Sequence, residues 1–429
     1  MAAARPHSVL VVLILSAALS APLAAQPFRD PGLPIEVRAA DVVSRLTLAE
    51  KIGLMSHNQP AVPRLGIAAR RVGNEALHGV AYQTATMFPQ ATGLGHTWDV
   101  ELIRAVGAAI GDEQRVYNRR NSDATGLQVW SPVVDLARDP RWGRTEEVYG
   151  EDPYLTAAIG GAFVHGMQGD DPTYYKTVPS LKHFAANSME NNRVGSSSNV
   201  DPRNLREYYL KPFEKITREE HVQSYMASYN AINSLPATVT NLFRDVARAE
   251  WGFNGFVVTD ANDLQLLVSG HRYLNNLPAA AAAIVTAGMD SITDDQAVPS
   301  VQAAVDQGLL TETDLDLALR RNFRIRLLLG EFDPPGMVPY NAIPDSALMS
   351  AEHTALARQA GRESVVLLKN AGGLLPLDPA AAGTVAVIGP RANEVERDWY
   401  SAFPPYRVTP VDGIRNRLGA GRVMFDEGT

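Results

Sequence analysis

The sequence predicts an α/β protein with repeated β-α units, followed by a second, smaller α/β portion. Three observations predict it. From about residue 40 to 335, short apolar runs alternate with helical patterns at the spacing of β-α units. A Pro-rich stretch without periodicity, 333–350, then interrupts the pattern. Beyond it the alternation resumes up to Thr429. At roughly 150 residues per domain, 429 residues suggest two or three domains, and one barrel of about 250 residues leaves a remainder. Parallel β-α repeats close into a barrel or form an open doubly wound sheet, and the pattern alone fits both.

The elements follow in order. Residues 1–25 read as a secretory signal: Arg5 gives a positive start and Val9 to Leu15 an apolar run too short to span a bilayer. Cleavage near Ala25 fits the small residues there, although Leu23 is a poor residue for the minus-three position; a short membrane anchor is the alternative. The expected location is outside the cytoplasm, periplasmic or extracellular, with no membrane contact after cleavage. Asp99 can cap a helix that sets Ile103, Val106 and Ile110 on one face. Strand candidates are 127–130, 180–184, 224–228 and 255–259. Asp201-Pro202 opens a further helix by capping it and placing Pro first. After the linker come a helix at 351–362 and strands at 365–368, 384–388 and 423–425.

Composition removes several function classes. A net charge of -8 argues against nucleic acid or an anionic membrane as partner. The chain has no cysteine, which excludes disulfides, thiolate metal sites and Cys nucleophiles. Nine scattered His residues then make a dedicated metal site unexpected. Dinucleotide, P-loop, zinc-protease and Ser-hydrolase motifs are all missing.

Three constellations could carry chemistry. Asp260 directly follows the apolar run 255–259, and strand C-termini face the active mouth of a β/α barrel. It could attack a substrate or merely cap the next helix. Lys182 and His183 end another strand, and because neighbours in a strand point to opposite faces, both reach one ligand only if the strand ends or bulges there. Otherwise they are a surface Lys and a buried His. The segment 130–152, WSPVVDLARDPRWGRTEEVYGED, is a long loop rich in Trp, Arg and carboxylates. Aromatic faces stack on sugar C–H groups and guanidinium forks bind hydroxyls; the same residues could instead form an inter-domain strut of Arg–carboxylate pairs.

Together these segments resemble glycoside hydrolase family 3. NEALHG (74–79), DPRWGR (139–144), YGEDPYL (149–155), KHFAANSMENNR (182–193), SYNAINSLPAT (228–238) and GFVVTDAND (255–263) stand in the family's order. The resemblance implies a (β/α)8 TIM-like barrel at 26–335, a linker at 336–350 and the incomplete start of a doubly wound α/β sandwich at 351–429. It implies an exo-acting, retaining β-glycosidase that removes β-linked sugars from non-reducing ends without metal or organic cofactor. Asp260 matches the family's nucleophile. Lys182 and His183 match the pair that binds glycone hydroxyls, Arg144 the Arg ending W-G-R, Glu75 the carboxylate on the distal hydroxyl, and Trp130 the aromatic wall. Tyr229 matches the Tyr beside the nucleophile, with Met226 nearby on its strand. Ala261 stands where many β-glucosidases have Trp and many β-xylosidases Cys. NEALHG and W-S-P lean towards β-xylosides, ahead of β-glucosides. The N-acetylglucosaminidase branch is not expected, because no His follows Ala185 and Ala186 where its acid loop would lie. Implied partners are β-linked oligosaccharides or aryl and alkyl β-glycosides, with a homodimer possible.

One piece is missing from the pattern. The resemblance puts the general acid/base on a Glu of the second domain, and that position falls past Thr429. Glu394, Glu396 and Glu427 come too early to match it. The expectation is a chain truncated in its second domain. The alternatives are a non-catalytic glycan-binding protein that keeps the pocket, or a hydrolase that takes its acid from a partner subunit.

Overall fold

The computed structural model describes residues 26–428. The secretory signal expected at 1–25 lies outside the described residues. Among these, no helix is long and apolar enough to cross a membrane.

The strands of the main sheet system in the N-terminal part are β1 (Asn58–Gln59), β2 (Arg70–Arg71), β3 (Gln128–Val129), β4 (Val178–Phe184), β5 (Ser224–Ala227) and β6 (Phe256–Val258); Ser197–Ser198, Ala231–Ile232 and Leu235–Pro236 form a separate small sheet. In order, β3, β4, β5 and β6 pair in parallel. Backbone bonds extend this sheet at both edges. Asp290 N donates to Val257 O at 2.8 Å, and Ile292 N donates to Met55 O at 2.9 Å. β1 pairs antiparallel with β2, and Trp130 N donates to Asn74 O at 2.9 Å. The extended segments therefore form a closed ring, which leaves no open sheet edge. The expected α/β barrel is present. Its ring is less regular than eight parallel repeats: among the described residues it has one reversed pair, and several members are only two residues long.

The alternation along β5 and β6 explains their burial on both sides. Met226, Phe256 and Val258 fill the ring interior with Val72 and Val178. Tyr225 and Val257 point outward into the layer between sheet and helices. That layer is built by α1 (Ile35–Ser44), α2 (Val100–Arg120), α3 (Pro153–Gln168), α4 (Lys211–Glu220), α5 (Asp263–Ser269), α6 (Leu277–Thr286), α7 (Ala297–Asp306) and α8 (Glu312–Leu328). Asp99 caps α2 as expected, accepting from Leu102 N at 3.0 Å. Asp201 likewise accepts from Arg203 N and Asn204 N.

Short 3-10 turns carry the chain through 335–347 to α9 (Ala351–Glu363). Then follow β7 (Val385–Ile388), α10 (Pro410–Leu418) and β8 (Val423–Asp426), with β7 and β8 parallel. The apolar run 365–368 is not a strand. Its four residues lie without a ladder partner and are more than half exposed, because a strand needs a neighbour to take its backbone groups.

Glu113 of α2 ties α9 to the barrel. Almost fully buried, it accepts from Thr86 N, Thr86 Oγ1, Met349 N and His353 Nδ1, all within 2.9 Å. Burial opposes its charge, but the bonds from His353 and Thr86 outweigh this and hold its pKa below the ordinary 4.5. Its contribution is therefore present above pH 4.5 and is lost on further acidification. Glu113→Ala leaves buried donors unmatched and is expected to destabilise the protein by about 2–3 kcal/mol, read from the urea midpoint at pH 7. An unchanged midpoint would show that α9 is held by apolar contacts alone.

Candidate active site

The C-terminal ends of the ring segments meet around Asp260. Its carboxylate is mostly buried, and Oδ1 accepts from Ala261 N at 2.7 Å. The position does not cap a helix: Asn262 precedes α5, and Asp260 N instead donates to Asp263 Oδ2 at 3.0 Å. Burial raises the Asp260 pKa above the usual value, opposed by Lys182, the Ala261 N–H and Arg144.

Lys182 and His183 both reach this mouth. The pairing of β4 with β5 shifts register between Leu181 and Phe184, which is the bulge the adjacent pair requires. Lys182 Nζ sits 2.8 Å from both oxygens of Glu75. The pair is sealed from solvent, with Lys182 at 1% and Glu75 at 7% exposure. Burial raises the Glu75 pKa to about 7 even against the attraction of Lys182. His183 Nδ1 lies 2.7 Å from Asp135 Oδ2, and its Nε2 lies 3.8 Å from Asp260 Oδ2. Burial first, then Arg144 and Lys182, keep the imidazole neutral well below its usual pKa.

Arg144 is held by Glu147, with Nε at 2.9 Å from Oε1 and a second bond from Nη2. Burial works against its charge, but the Glu147 clamp more than offsets this and Arg144 stays cationic. Tyr229 donates to Ala261 O at 2.9 Å and lies against the Asp260 carboxylate, while Arg193 stacks on its ring at 4.3 Å. The loop 130–152 also contains Arg–carboxylate pairs, Arg144–Glu147 and Arg141–Asp139, but each is local to the loop and neither forms a strut between domains.

The side chains of Trp130 and Met226 make apolar rather than polar contacts. Met226 belongs to the apolar group inside the ring, and the partly buried Trp130 packs against it. Trp130 packs on Gly73, whose φ is +91° and where any Cβ would overlap the indole at 1.9 Å; only glycine fits there.

A segment from the C-terminal part adds to the site. Residues 398–403 run beside 82–85, with Phe403 N donating to Gln83 O at 2.7 Å and a parallel bridge between Thr84 and Phe403. Asp398 accepts from His78 Nε2 at 3.1 Å, and Ala402 is fully buried. This anchoring lays the Tyr400 ring 4.8 Å from Lys182 Nζ and 6.0 Å from Arg144 Cζ. Burial, then the charge of Glu75, raises the pKa of its hydroxyl, so it stays a neutral donor.

The model of the glycosyl hydrolase family 3 N-terminal domain matches residues 49–325, and that of the family's C-terminal domain matches 365–427. The chain belongs to glycosyl hydrolase family 3. It is similar to beta-D-xylosidase 3 of Arabidopsis thaliana, 36% identical over 93% of this chain and 54% of the relative. The exo-1,4-beta-xylosidase bxlB of Emericella nidulans is 36% identical over the same shares of the two chains. Among solved structures, an exo-β-xylosidase of the family (XlnD), bound to a xylobiose aziridine probe, superposes with TM-score 0.89 at 30% identity, covering 96% of this chain and 55% of that one. A β-glucosidase from Erythrobacter marinus gives 0.83 at 29% identity, over 94% and 60%. The chain spans about half the length of these relatives.

Sequence reasoning brought together Glu75, Arg144, Lys182, His183, Tyr229 and Asp260. It missed the carboxylates that orient them: Asp135, Glu147 and Asp263. Glu147 had a local signal, since it sits three residues after Arg144. Tyr400 had none, because its neighbours come from a distant part of the chain.

Proposed function

We propose that this chain carries the glycone pocket and nucleophile of an exo-acting retaining β-glycosidase that releases terminal β-linked xylose, with glucose as the second candidate. One observation supports it above all. Three buried pairs, Lys182–Glu75, His183–Asp135 and Arg144–Glu147, surround one carboxylate at a strand end. Such preorganised donors and acceptors suit the ring of hydroxyls on a sugar. The relatives named as β-xylosidases favour xylose.

In this reading Oδ2 of Asp260 attacks the anomeric carbon. An ester bond forms as the bond to the leaving oxygen breaks, and that oxygen takes a proton from a general acid. Water then attacks the anomeric carbon and gives its proton back to the same group; the bond to Asp260 breaks, the carboxylate is freed, and the sugar leaves with retained configuration. Ala261 N holds Oδ1 aside, which leaves Oδ2 free for the attack. His183 and Lys182 bind hydroxyls, and Tyr400 roofs them. Among the described residues, Glu75, Asp135, Glu147 and Asp263 are all already hydrogen-bonded, so none is assigned as the general acid. Natural substrates of the β-linked oligosaccharide class depend on that acid; an activated aryl glycoside does not. We also place the barrel domain at 26–335, the linker at 336–350 and the protein outside the cytoplasm.

Activated 2-deoxy-2-fluoro-β-xyloside and the matching glucoside test the substrate class. Faster covalent capture of the xyloside, read by intact mass, is expected. Capture of neither, together with measurable xylose binding, would favour a glycan-binding protein. Removing the Tyr400 ring with Tyr400→Ala is expected to weaken the capture step about tenfold while leaving the mass of the adduct unchanged.

The pH profile of capture follows from the same carboxylates. Asp260 must be ionised to attack, and the charge of Glu75 balances Lys182. With Glu75 titrating near 7 and His183 neutral throughout, the rate is expected to fall as pH drops below about 7. Glu75→Gln should move this limb down towards Asp260 alone. A limb that stays in place in that variant would assign it to another group.

A further inference from the structure

The end of the ring opposite Asp260 holds a second polar site. Arg70 of β2, Leu127 just before β3, and 329–331 after α8 border a cavity of about 270 Å³. Arg115 of α2 lines it as well. Arg326 stands against its wall, with Nη2 donating to Ala68 O at 3.1 Å.

The charges around this cavity do not balance. Glu331 is clamped by Arg326, with Nε at 2.7 Å, and comes no nearer to Arg70 than 4.0 Å. Asp333 is taken by Arg38 and by the hydroxyl of Tyr174. Among the described residues, no carboxylate pairs with Arg115, whose Nε and Nη2 donate to the carbonyls of Lys176, Tyr175 and Leu329. Two arginines thus share one carboxylate, and a third has none. Arg70 Nε and Arg326 Nη1 are buried without any hydrogen-bond partner. Arg326 is fully buried and Arg115 is 6% exposed. Burial of a cation without its counter-charge is strongly unfavourable. Consistent with this, burial and the charge of Arg326 bring the Arg70 pKa down to about 9, and burial brings Arg115 down to about 10.

We infer that this cavity binds a small inorganic oxyanion of the phosphate or sulfate class between Arg70 and Arg115. Arg70 borders the cavity with a planar guanidinium fork that suits oxyanions, and its nearest carboxylate, Glu331, stays 4.0 Å away. Arg115 Nη1 supplies a free donor, since its one contact is a long 3.5 Å approach to Asn341. A water occupies about 30 Å³ in the liquid, so the cavity takes such an ion with several waters. The ion neutralises the excess charge, and because it binds only the folded chain it stabilises the barrel. Its place fits that role, since this end of a β/α barrel serves stability and the other end chemistry.

Calorimetric titration of the full chain with inorganic phosphate, at fixed ionic strength, tests the site. One saturable site is expected. Arg70→Gln should weaken it at least about tenfold, the worth of a charge-assisted hydrogen bond. Capture of the 2-fluoro-xyloside at Asp260 should not change, because Arg70 lies at the other end of the ring. If that variant does not fold, crystals of the wild-type protein soaked in selenate should show an anomalous peak between Arg70 and Arg115. No saturable heat with the wild-type protein, equal phosphate affinity in folded Arg70→Gln, or selenate only elsewhere would overturn the inference.

Discussion

Asp260→Asn is expected to slow covalent capture of an activated 2-fluoro-glycoside by on the order of 10⁴-fold or more, with the fold intact. The geometry explains both halves of this result. The amide keeps an oxygen that can accept from Ala261 N, so the local turn before α5 survives. Its nitrogen is no nucleophile, and no other carboxylate can take over. Glu75 is engaged by Lys182, Asp135 by His183 and Glu147 by Arg144. Circular dichroism and the urea midpoint separate loss of chemistry from loss of fold. Removing a buried carboxylate whose pKa is raised relieves a charge that folding disfavours, so the midpoint should hold or rise slightly above pH 5. Capture at an undiminished rate in this variant would place the nucleophile elsewhere.

The second large effect is expected from Lys182→Met. Lys182 is almost wholly buried and donates to both oxygens of Glu75. Methionine keeps the length and apolar stem but leaves Glu75 buried without its cation. Breaking such a pair costs about 3–5 kcal/mol, and protonation of Glu75 moderates the loss. Because the partner's pKa already stands near 7, it should rise further, and the variant should be more stable at pH 5 than at pH 8. Capture should also weaken by about ten- to a hundredfold, the worth of a hydrogen bond to a charged group. A stability loss that does not change between pH 5 and pH 8 would show that packing, not charge, dominates at this position.

How far the sequence announced this structure differs from element to element. Asp260 was legible because a buried strand writes a continuous apolar run, and a carboxylate ending it is conspicuous. The caps at Asp99 and Asp201 were legible because capping is decided within three residues. The reversed pairing of β1 with β2 was not, since two-residue strands are too short to show alternation. The run 365–368 looked like a strand because apolarity is local, whereas a ladder partner is not. The same reason hid Asp135, which meets His183 only once β4 is in place, and Tyr400, which arrives from the C-terminal part on an anchor made by Asp398 and His78. Residue types at the site could be read along the chain; the pairings that set their charge and orientation are made in three dimensions.

Those pairings also limit what the site can do unaided. In the proposed function the polar groups around Asp260 hold the sugar and its developing charge, but every neighbouring carboxylate is already hydrogen-bonded. An aglycone that leaves without a proton therefore isolates the step that this half of the pocket performs. The central claim, that Asp260 is the residue which takes the sugar, is tested by protease digestion of the protein after reaction with an activated 2-deoxy-2-fluoro-β-xyloside and sequencing of the labelled peptide. The account predicts one glycosyl group, on Asp260, in the peptide containing 255–263. A label on Glu75, Asp135 or Asp263, or no label with either the xyloside or the glucoside, would contradict it.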